Sequence, residues 1–234
     1  MPSISIAIAA HNEEASLEKV YRRSLSVLKR CTDDYEIVMI DDGSSDSTFE
    51  IMQRLRARHP ENTLVMRHER NLGIARTFEA ACRAATKDFV LDVPGDGEYP
   101  PEVLEDMLPL LDRYDLIVAK RTRKDYSLYR RFVSTSYRLL PRLFFGVDLF
   151  DPGSIKCRRR ALIHEITPRS KSVFKEAERA IRATRRGHRL GYVPIDPEPR
   201  EGGRPGGAKP ALVLQSSVDL LATWIRLTLV REAP

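Results

Sequence analysis

Apolar and polar positions along the first half of the chain follow two alternating patterns. Short apolar runs rich in isoleucine, valine and leucine predict buried strands at residues 3–10, 35–40, 64–67, 88–93 and 115–119. Between these runs, apolar residues recur every three or four positions, which predicts helices at residues 14–29, 48–58, 74–85 and 101–111. Strands that alternate with helices in this way indicate an α/β fold with a mostly parallel sheet and helices on both faces.

From about residue 120 the regular alternation stops. We expect a helix at 126–145, loop-like chain at 148–156, a helix at 174–187, a strand at 189–195, and a Gly- and Pro-rich loop up to residue 210. The last segment, 211–231, predicts an amphipathic helix. Its polar residues fall on one stripe, formed by Gln215, Asp219, Thr223 and Arg226.

Length and composition favour one soluble-type domain with a basic surface. The chain has 234 residues, of which 42% are hydrophobic, enough for a core of ordinary size. Its formal net charge is +6, which favours anionic partners such as nucleic acid, an acidic lipid surface or phosphorylated small molecules. Charge alone does not choose among these three.

The cysteines and the apolar segments near the two ends of the chain indicate the cellular compartment and the relation of the protein to a membrane. The three cysteines, Cys31, Cys82 and Cys157, are odd in number and far apart, which argues against a disulfide framework or a structural zinc site and fits a reducing, cytoplasmic compartment. The start has no basic region before its apolar run, so we interpret it as a strand rather than a signal peptide. The apolar stretch 211–230 is interrupted by polar residues, so we expect it to lie on a membrane rather than span it.

Three unusual polar segments each follow a predicted strand: AHNEE after the first, DDGSSD after the second and PGDGE after the fourth. The carboxyl ends of parallel strands meet at one edge of a sheet, where ligands bind in open α/β folds. A carboxylate there can accept a hydrogen bond from a base N–H. Carboxylates one residue apart can hold Mg²⁺ or Mn²⁺, which bridges phosphate oxygens. The chain contains neither a G-x-G-x-x-G nor a Walker motif.

These segments resemble the family-two glycosyltransferases, and among them the polyprenyl-phosphate (dolichol-phosphate) sugar synthases, from residue 4 to about 209. The resemblance implies a GT-A-type, Rossmann-like catalytic domain over 1–209, with a nucleotide-sugar-binding half (1–119), an acceptor-binding half (120–209), and a C-terminal helix over 210–234. It also implies particular roles for residues of the three loops. Donor-binding residues would be Ala9, His11, Glu13, Asp42, Asp96 and Arg121, and the metal ligands for Mg²⁺ or Mn²⁺ would be Asp96 and Glu98.

The metal loop departs from the family pattern, because Pro94 stands where the first aspartate of the usual pair would be. In the second half, the resemblance implies contacts to phosphate from a set of basic residues. These are Arg130, Arg131, Lys156, Arg200 and Lys209. Arg121 and Arg131, with Asp96, would carry the catalytic chemistry. Arginine can grip phosphate through two hydrogen bonds, while lysine adds a point charge.

Three functions are considered, and the first, which the resemblance implies, is the leading hypothesis. The first is inverting transfer of a sugar from a UDP- or GDP-sugar to a polyprenyl phosphate, whose anionic oxygen needs no strong base. The second is transfer to a soluble hydroxyl, which needs a carboxylate base, and Glu176 and Glu178 are the candidates. The third is a non-catalytic basic protein that binds nucleic acid or acidic lipid, which leaves the three acidic loops unexplained. We expect no nucleic-acid partner, and the sequence leaves open peripheral contact with an anionic membrane and homodimer formation.

Overall fold

A computed structural model describes residues 1–122, 128–170, 172–200 and 210–230. The strands are β1 (Ile4–Ala10), β2 (Tyr35–Asp41), β3 (Thr63–Arg67), β4 (Phe89–Pro94), β5 (Leu116–Arg121), β6 (Lys156–Arg159) and β7 (Leu190–Ile195). The helices are α1 (Leu17–Cys31), α2 (Thr48–Arg58), α3 (Ile74–Ala84), α4 (Val103–Met107), α5 (Leu128–Phe145), α6 (Arg160–Glu165), α7 (Lys175–Arg185) and α8 (Pro210–Trp224). A 3₁₀ turn (Leu108–Leu110) continues α4, and a π-helical turn (Ile225–Leu229) continues α8.

The described strands form one seven-stranded sheet in the order β3-β2-β1-β4-β6-β5-β7. All neighbouring pairs are parallel except those of β6, which runs antiparallel to both β4 and β5. The mostly parallel α/β architecture is therefore confirmed. No strand was predicted for β6, a four-residue strand that begins at Lys156, the last residue of the predicted loop, and inserts between β4 and β5.

The sheet is covered on both faces because its strands alternate their side chains. In β1, Ile4, Ile6 and Ile8 pack with α1, α2 and α4 on one face, whereas Ala7 packs with α3 and α6 on the other. A further apolar cluster joins β5 to α5, α6, α7 and α8. Since β1, β2, β4 and β5 point the same way, the loops that follow them all meet at one edge of the sheet.

The C-terminal helix packs on the domain through a face that includes Thr223, a member of the predicted polar stripe. Leu220, Thr223 and Leu227 are buried, and Trp224 meets Phe144 of α5 edge-to-face with ring centroids 5.8 Å apart. The opposite side carries an exposed apolar stripe, which consists of Leu214, Val218, Leu221, Ile225 and Leu229.

By length and composition alone, 210–229 is also the one helix among the described residues that could cross a membrane. The expectation that this segment lies on a membrane rather than spans it stays a prediction, because length and composition alone do not decide between the two. The polar interruptions that prompted it are too few to lower the helix below the hydropathy of a candidate span.

Candidate active site

Asp42, the last residue of the DD pair after β2, joins the second loop to the N-terminus of α3. Its buried carboxylate accepts hydrogen bonds from His68 Nδ1 (2.8 Å) and from the backbone N–H groups of Leu72 and Gly73 (2.9 Å each). Burial raises the pKa of Asp42, but these hydrogen bonds outweigh it and hold the pKa below its usual value. Asp42 is thus ionised, and with a further side-chain hydrogen bond from Thr77 its roughly four acceptor positions are largely used within the protein.

The turn at Gly43 depends on the absence of a side chain. Its φ of +68° lies in the left-handed region, and a Cβ there would come within 2.7 Å of the carbonyl carbon of Arg70. The DDG loop and the segment before α3 therefore lie in direct backbone contact. This contact lets Asp42 reach Leu72 and Gly73.

Hydrogen bonds connect three successive residues of the first loop to the second loop and to the start of α2. His11 Nδ1 lies 3.0 Å from the carbonyl oxygen of Asp42, Asn12 N–H donates to Ser44 Oγ (2.9 Å), and Glu13 N–H donates to Thr48 Oγ1 (2.8 Å). Asn12 itself adopts a positive φ of 57°. The predicted donor residues His11, Glu13 and Asp42 therefore lie together at the sheet edge, next to Ala9, whose carbonyl accepts from Gly95 N–H (2.9 Å) in the third loop.

In the third loop, the two predicted metal ligands share one arginine. Arg200 places Nε 3.2 Å from Asp96 Oδ2 and its guanidinium 2.5 Å from Glu98 Oε2. Asp96 is buried, and its Oδ1 accepts from Glu98 N–H (3.0 Å). The chain after β7 reaches this loop because Glu198 N–H donates to the Glu98 carbonyl (2.8 Å). Arg23 of α1 fixes that segment by pairing with both Glu198 and Glu102 at 2.8 Å.

The donor set of this loop fits a divalent cation. Burial and the neighbouring charge of Glu98 raise the pKa of Asp96. Burial and the charge of Asp96 likewise raise the pKa of Glu13. A cation bound here would therefore stabilise the ionised form of these carboxylates. Within the described residues no group of three metal-ligating side chains forms. Two carboxylates nevertheless suit Mg²⁺, which commonly takes one or two from protein and completes its octahedron with water and substrate phosphates. Arg200 supplies the positive charge in the present arrangement.

Arg121, at the end of β5, is held by a residue that the sequence analysis did not assign. Asp151 is buried and accepts from Arg121 through both carboxylate oxygens, with Nε at 2.9 Å and a terminal nitrogen at 2.8 Å. Tyr99, buried close to Arg121, has a pKa raised mainly by burial. The DPGS motif before β6 was the available signal, since it places an aspartate at a Pro-Gly turn next to a strand.

Lys156 is buried, and its ammonium donates to the carbonyls of Ser154 (2.6 Å) and Pro152 (3.1 Å). Burial lowers the pKa of Lys156. Through its two hydrogen bonds to carbonyls, Lys156 stabilises the 151–154 loop, whose Asp151 holds Arg121. A direct contact between Lys156 and phosphate stays a prediction.

The remaining predicted phosphate-binding residues are only partly described. Arg131 lies in the first turn of α5 with an exposed side chain. The side chain of Arg130 and the whole of Lys209 lie outside the described residues. Arg200 and Arg121 both reach the edge that carries the three loops, Arg200 through Asp96 and Glu98.

The two carboxylates considered as a base for a hydroxyl acceptor are both engaged in the interior. Glu176 pairs with Arg158 (2.5 Å), and although burial opposes it, the charges of Arg158 and Arg179 lower the pKa of Glu176 to about 2. Glu178 is fully buried, pairs with Arg182 (2.8 Å) and accepts from Ser170. A carboxylate with such a low pKa is a poor proton acceptor at neutral pH.

Comparison with known proteins gives a consistent result. The model of the glycosyl transferase family 2 domain matches residues 5–167. An undecaprenyl-phosphate 4-deoxy-4-formamido-L-arabinose transferase of Photorhabdus laumondii is 31% identical over 163 residues, which cover 68% of this chain and 50% of that protein. The protein of the same name from Pseudomonas fluorescens is 27% identical and covers 73% of this chain and 51% of its own length. The chain thus spans about half the length of these curated relatives.

Among solved structures, glucosyl-3-phosphoglycerate synthase from Mycobacterium tuberculosis, in complex with Mn²⁺, UDP and phosphoglyceric acid, superposes with a TM-score of 0.72 at 20% identity. The match covers 95% of this chain and 78% of that one. The same protein with Mg²⁺ and UDP gives a TM-score of 0.68 at 19% identity. These matches confirm the predicted GT-A fold.

Proposed function

Because the chain belongs to glycosyl transferase family 2, we propose that it transfers a sugar, with inversion, from a nucleotide-sugar donor to a polyprenyl phosphate. The observation that carries the proposal is the third loop, where Asp96 and Glu98 meet Arg200 at the edge that also holds His11 and Asp42. Curated relatives named as undecaprenyl-phosphate transferases support the acceptor class. The UDP and divalent metal in structures of the same fold support the donor class.

In the proposed reaction, an oxygen of the acceptor phosphate forms a bond to the anomeric carbon as the bond to the donor diphosphate breaks. The products are a sugar phosphodiester and a free nucleoside diphosphate. Asp42 and His11 orient the base, and Arg121, held in position by Asp151, stabilises charge on the departing diphosphate. Asp96 and Glu98 would hold Mg²⁺ or Mn²⁺, which supplies charge neutralisation at the phosphates.

For the carboxylates to receive a cation, Arg200 has to leave them. Its guanidinium is one-third exposed and sits at the start of the Gly- and Pro-rich segment, so such a movement displaces little packed structure. Once released, Arg200 is placed to meet a phosphate at the same edge, in keeping with its predicted role.

The engagement of Glu176 and Glu178 favours the phosphate acceptor over a soluble hydroxyl. A phosphate monoester is already anionic at neutral pH and needs no proton acceptor. A hydroxyl acceptor needs one, and the two carboxylates suggested for that task hold arginines instead.

For membrane contact, we propose that the exposed apolar stripe of α8 lies in the interface of a cytoplasmic membrane face. A lipid-linked acceptor must be met at that interface. Arg226 on the same helix can contact acidic head groups.

The test is nucleoside diphosphate release from UDP- and GDP-sugars, with and without a short-chain polyprenyl phosphate, in Mg²⁺, in Mn²⁺ and in EDTA. We expect release that needs the acceptor and is abolished by EDTA. Release that proceeds equally with an unphosphorylated polyprenol contradicts the acceptor assignment, and full release in EDTA contradicts the metal assignment.

A further inference from the structure

A cavity of about 180 Å³ opens at the end of β5, beside the candidate site but outside it. Lys120 points into it, and because consecutive strand residues face opposite sides of a sheet, Arg121 points the other way, toward Asp151. The cavity therefore lies on the α5 side of the sheet edge. Its walls are formed by Lys120, Arg138, Leu139, Arg142, Asp148 and Phe150.

The charges around the cavity suit a phosphate monoester. Three cations and one carboxylate line it, and the Asp148 carboxylate already accepts the Phe150 N–H (2.8 Å). Within the described residues, none of the three cations forms an ion pair, and the Lys120 ammonium lies 4.8 Å from the centroid of the Tyr192 ring. The net charge of the lining is +2, since three cations oppose one carboxylate. A phosphate monoester carries about −1.5 to −2 at neutral pH, so the two nearly cancel.

The cavity wall is held in shape by a strained aromatic residue. Phe150 adopts a φ of +56°, which is uncommon and strained for a bulky side chain. Its ring packs on Tyr192 with centroids 4.6 Å apart, and Tyr192 in turn holds the Lys120 ammonium. Strain of this kind collects at functional sites, where it fixes a geometry before a ligand binds.

An apolar ridge leaves the cavity along α5. Leu139 lines the wall and is 54% exposed, and Leu143, one turn further on the same face, is 76% exposed. Next to this ridge, Arg138 and Arg142 also lie one turn apart, and Arg131 lies two turns before Arg138, about 10 Å along the helix. A phosphate in the cavity would thus have cations on one side and a strip of hydrocarbon on the other.

We propose that this cavity binds the phosphate monoester head group of an amphiphile whose hydrocarbon chain lies across Leu139 and Leu143. The inference rests on the proposed function for the identity of that amphiphile, the polyprenyl phosphate acceptor. It adds a holding site on the α5 side of β5, formed by residues other than those assigned to catalysis. It is tested by binding without donor or metal, so its failure leaves the transfer reaction standing.

The experiment compares the full chain with two double variants of equal charge. Arg138→Gln with Arg142→Gln removes two cavity cations, and Lys29→Gln with Arg56→Gln removes two exposed cations from α1 and α2. Binding is titrated with farnesyl phosphate, with inorganic phosphate, and with phosphatidylcholine vesicles that contain phosphatidylglycerol. We expect the cavity variant to bind farnesyl phosphate at least about tenfold more weakly than wild type, and the control within about twofold.

A third variant, Leu143→Gln, tests the hydrocarbon strip separately. It should weaken binding of farnesyl phosphate and leave inorganic phosphate unaffected, because Leu143 lies beyond the cavity mouth. Equal affinity of the two double variants for farnesyl phosphate overturns the site. Inorganic phosphate that binds as tightly as farnesyl phosphate overturns the amphiphile assignment. Vesicle binding that is lost in the cavity variant by the same factor overturns the monoester in favour of general anionic lipid.

Discussion

Asp151→Asn tests whether the orientation of Arg121 depends on a buried ion pair. The carboxylate is 2% exposed and receives two side-chain hydrogen bonds from Arg121, at 2.9 and 2.8 Å, plus a longer one from its backbone N–H (3.3 Å). Asparagine has nearly the same shape but only one oxygen. Whichever way its amide sits, one guanidinium N–H faces an NH₂ group and loses its acceptor.

The loss can be estimated from these contacts. A buried hydrogen bond between charged groups contributes about 1.5–3 kcal/mol, and the Arg121 side chain is only 11% exposed, so solvent screens it little. We expect the free energy of unfolding to fall by about 2–3 kcal/mol, which leaves a domain of ordinary stability folded. For a chain of this length the corresponding fall in Tm is about 4–12 °C. Transfer should slow further, because Arg121 is no longer held toward the diphosphate.

Thermal unfolding and steady-state transfer are measured on the same preparations. Asp33→Asn, an exposed aspartate in the turn between α1 and β2, is the control and should change the free energy of unfolding by less than about 0.5 kcal/mol. If Asp151→Asn unfolds at the wild-type temperature and turns over at the wild-type rate, Asp151 does not position Arg121. A lowered Tm with unchanged turnover makes the pair structural only.

Three further predictions follow from the same structure. Asp96→Ala should abolish transfer with little change in Tm, whereas the exposed Asp106→Ala should do neither, and near-normal turnover of Asp96→Ala in Mg²⁺ or Mn²⁺ would show the metal assignment to be wrong. The folded-state pKa of Glu176 is about 2, below its ordinary value of 4.5, so its ion pairs stabilise the fold above about pH 4.5 and this contribution is lost as the pH falls toward 2. Urea unfolding at pH 6 and pH 3 should show wild type losing about 2 kcal/mol more than Glu176→Gln, and an equal loss in both proteins rejects the shift. Replacing Leu214, Leu221 and Leu229 by Gln should reduce sedimentation with anionic liposomes at low salt without lowering Tm, since all three are exposed. Unchanged sedimentation would remove α8 from the membrane contact.

Much of the fold could be predicted because the signals are local. Apolar runs of four to eight residues identified β1, β2, β3, β4 and β5 to within about two residues at each end, and helical spacing identified α2 with the same bounds as the structure. β6 was missed because it has no such local signal. Its four residues, KCRR, carry three charges and no alternation, and it forms a strand only because β4 and β5 leave a gap between them.

In the candidate site, the location of the main residues could be predicted, but their hydrogen-bond and ion-pair partners could not. Parallel strands were enough to bring His11, Asp42 and Asp96 to one edge, since loops that follow parallel strands meet there. The partners of those residues were not predictable. Asp42 is held by Leu72 and Gly73 across a loop, and Asp96 meets Arg200 from the far end of the domain. The buried pairing of Glu176 also removed a candidate base that the helical pattern had left open.

By itself, the sequence determined the α/β class, the edge at which the three polar loops meet and the family, because periodicity, turn residues and short motifs act over a few neighbouring positions. Only the tertiary structure decided that Asp151 grips Arg121, that Lys156 faces carbonyls, and that α8 turns its apolar stripe outward. These outcomes depend on contacts between segments separated by tens of residues, or on which side of a helix is buried. Such choices are made by packing and by the desolvation of charged groups, and neither has a local pattern in the chain.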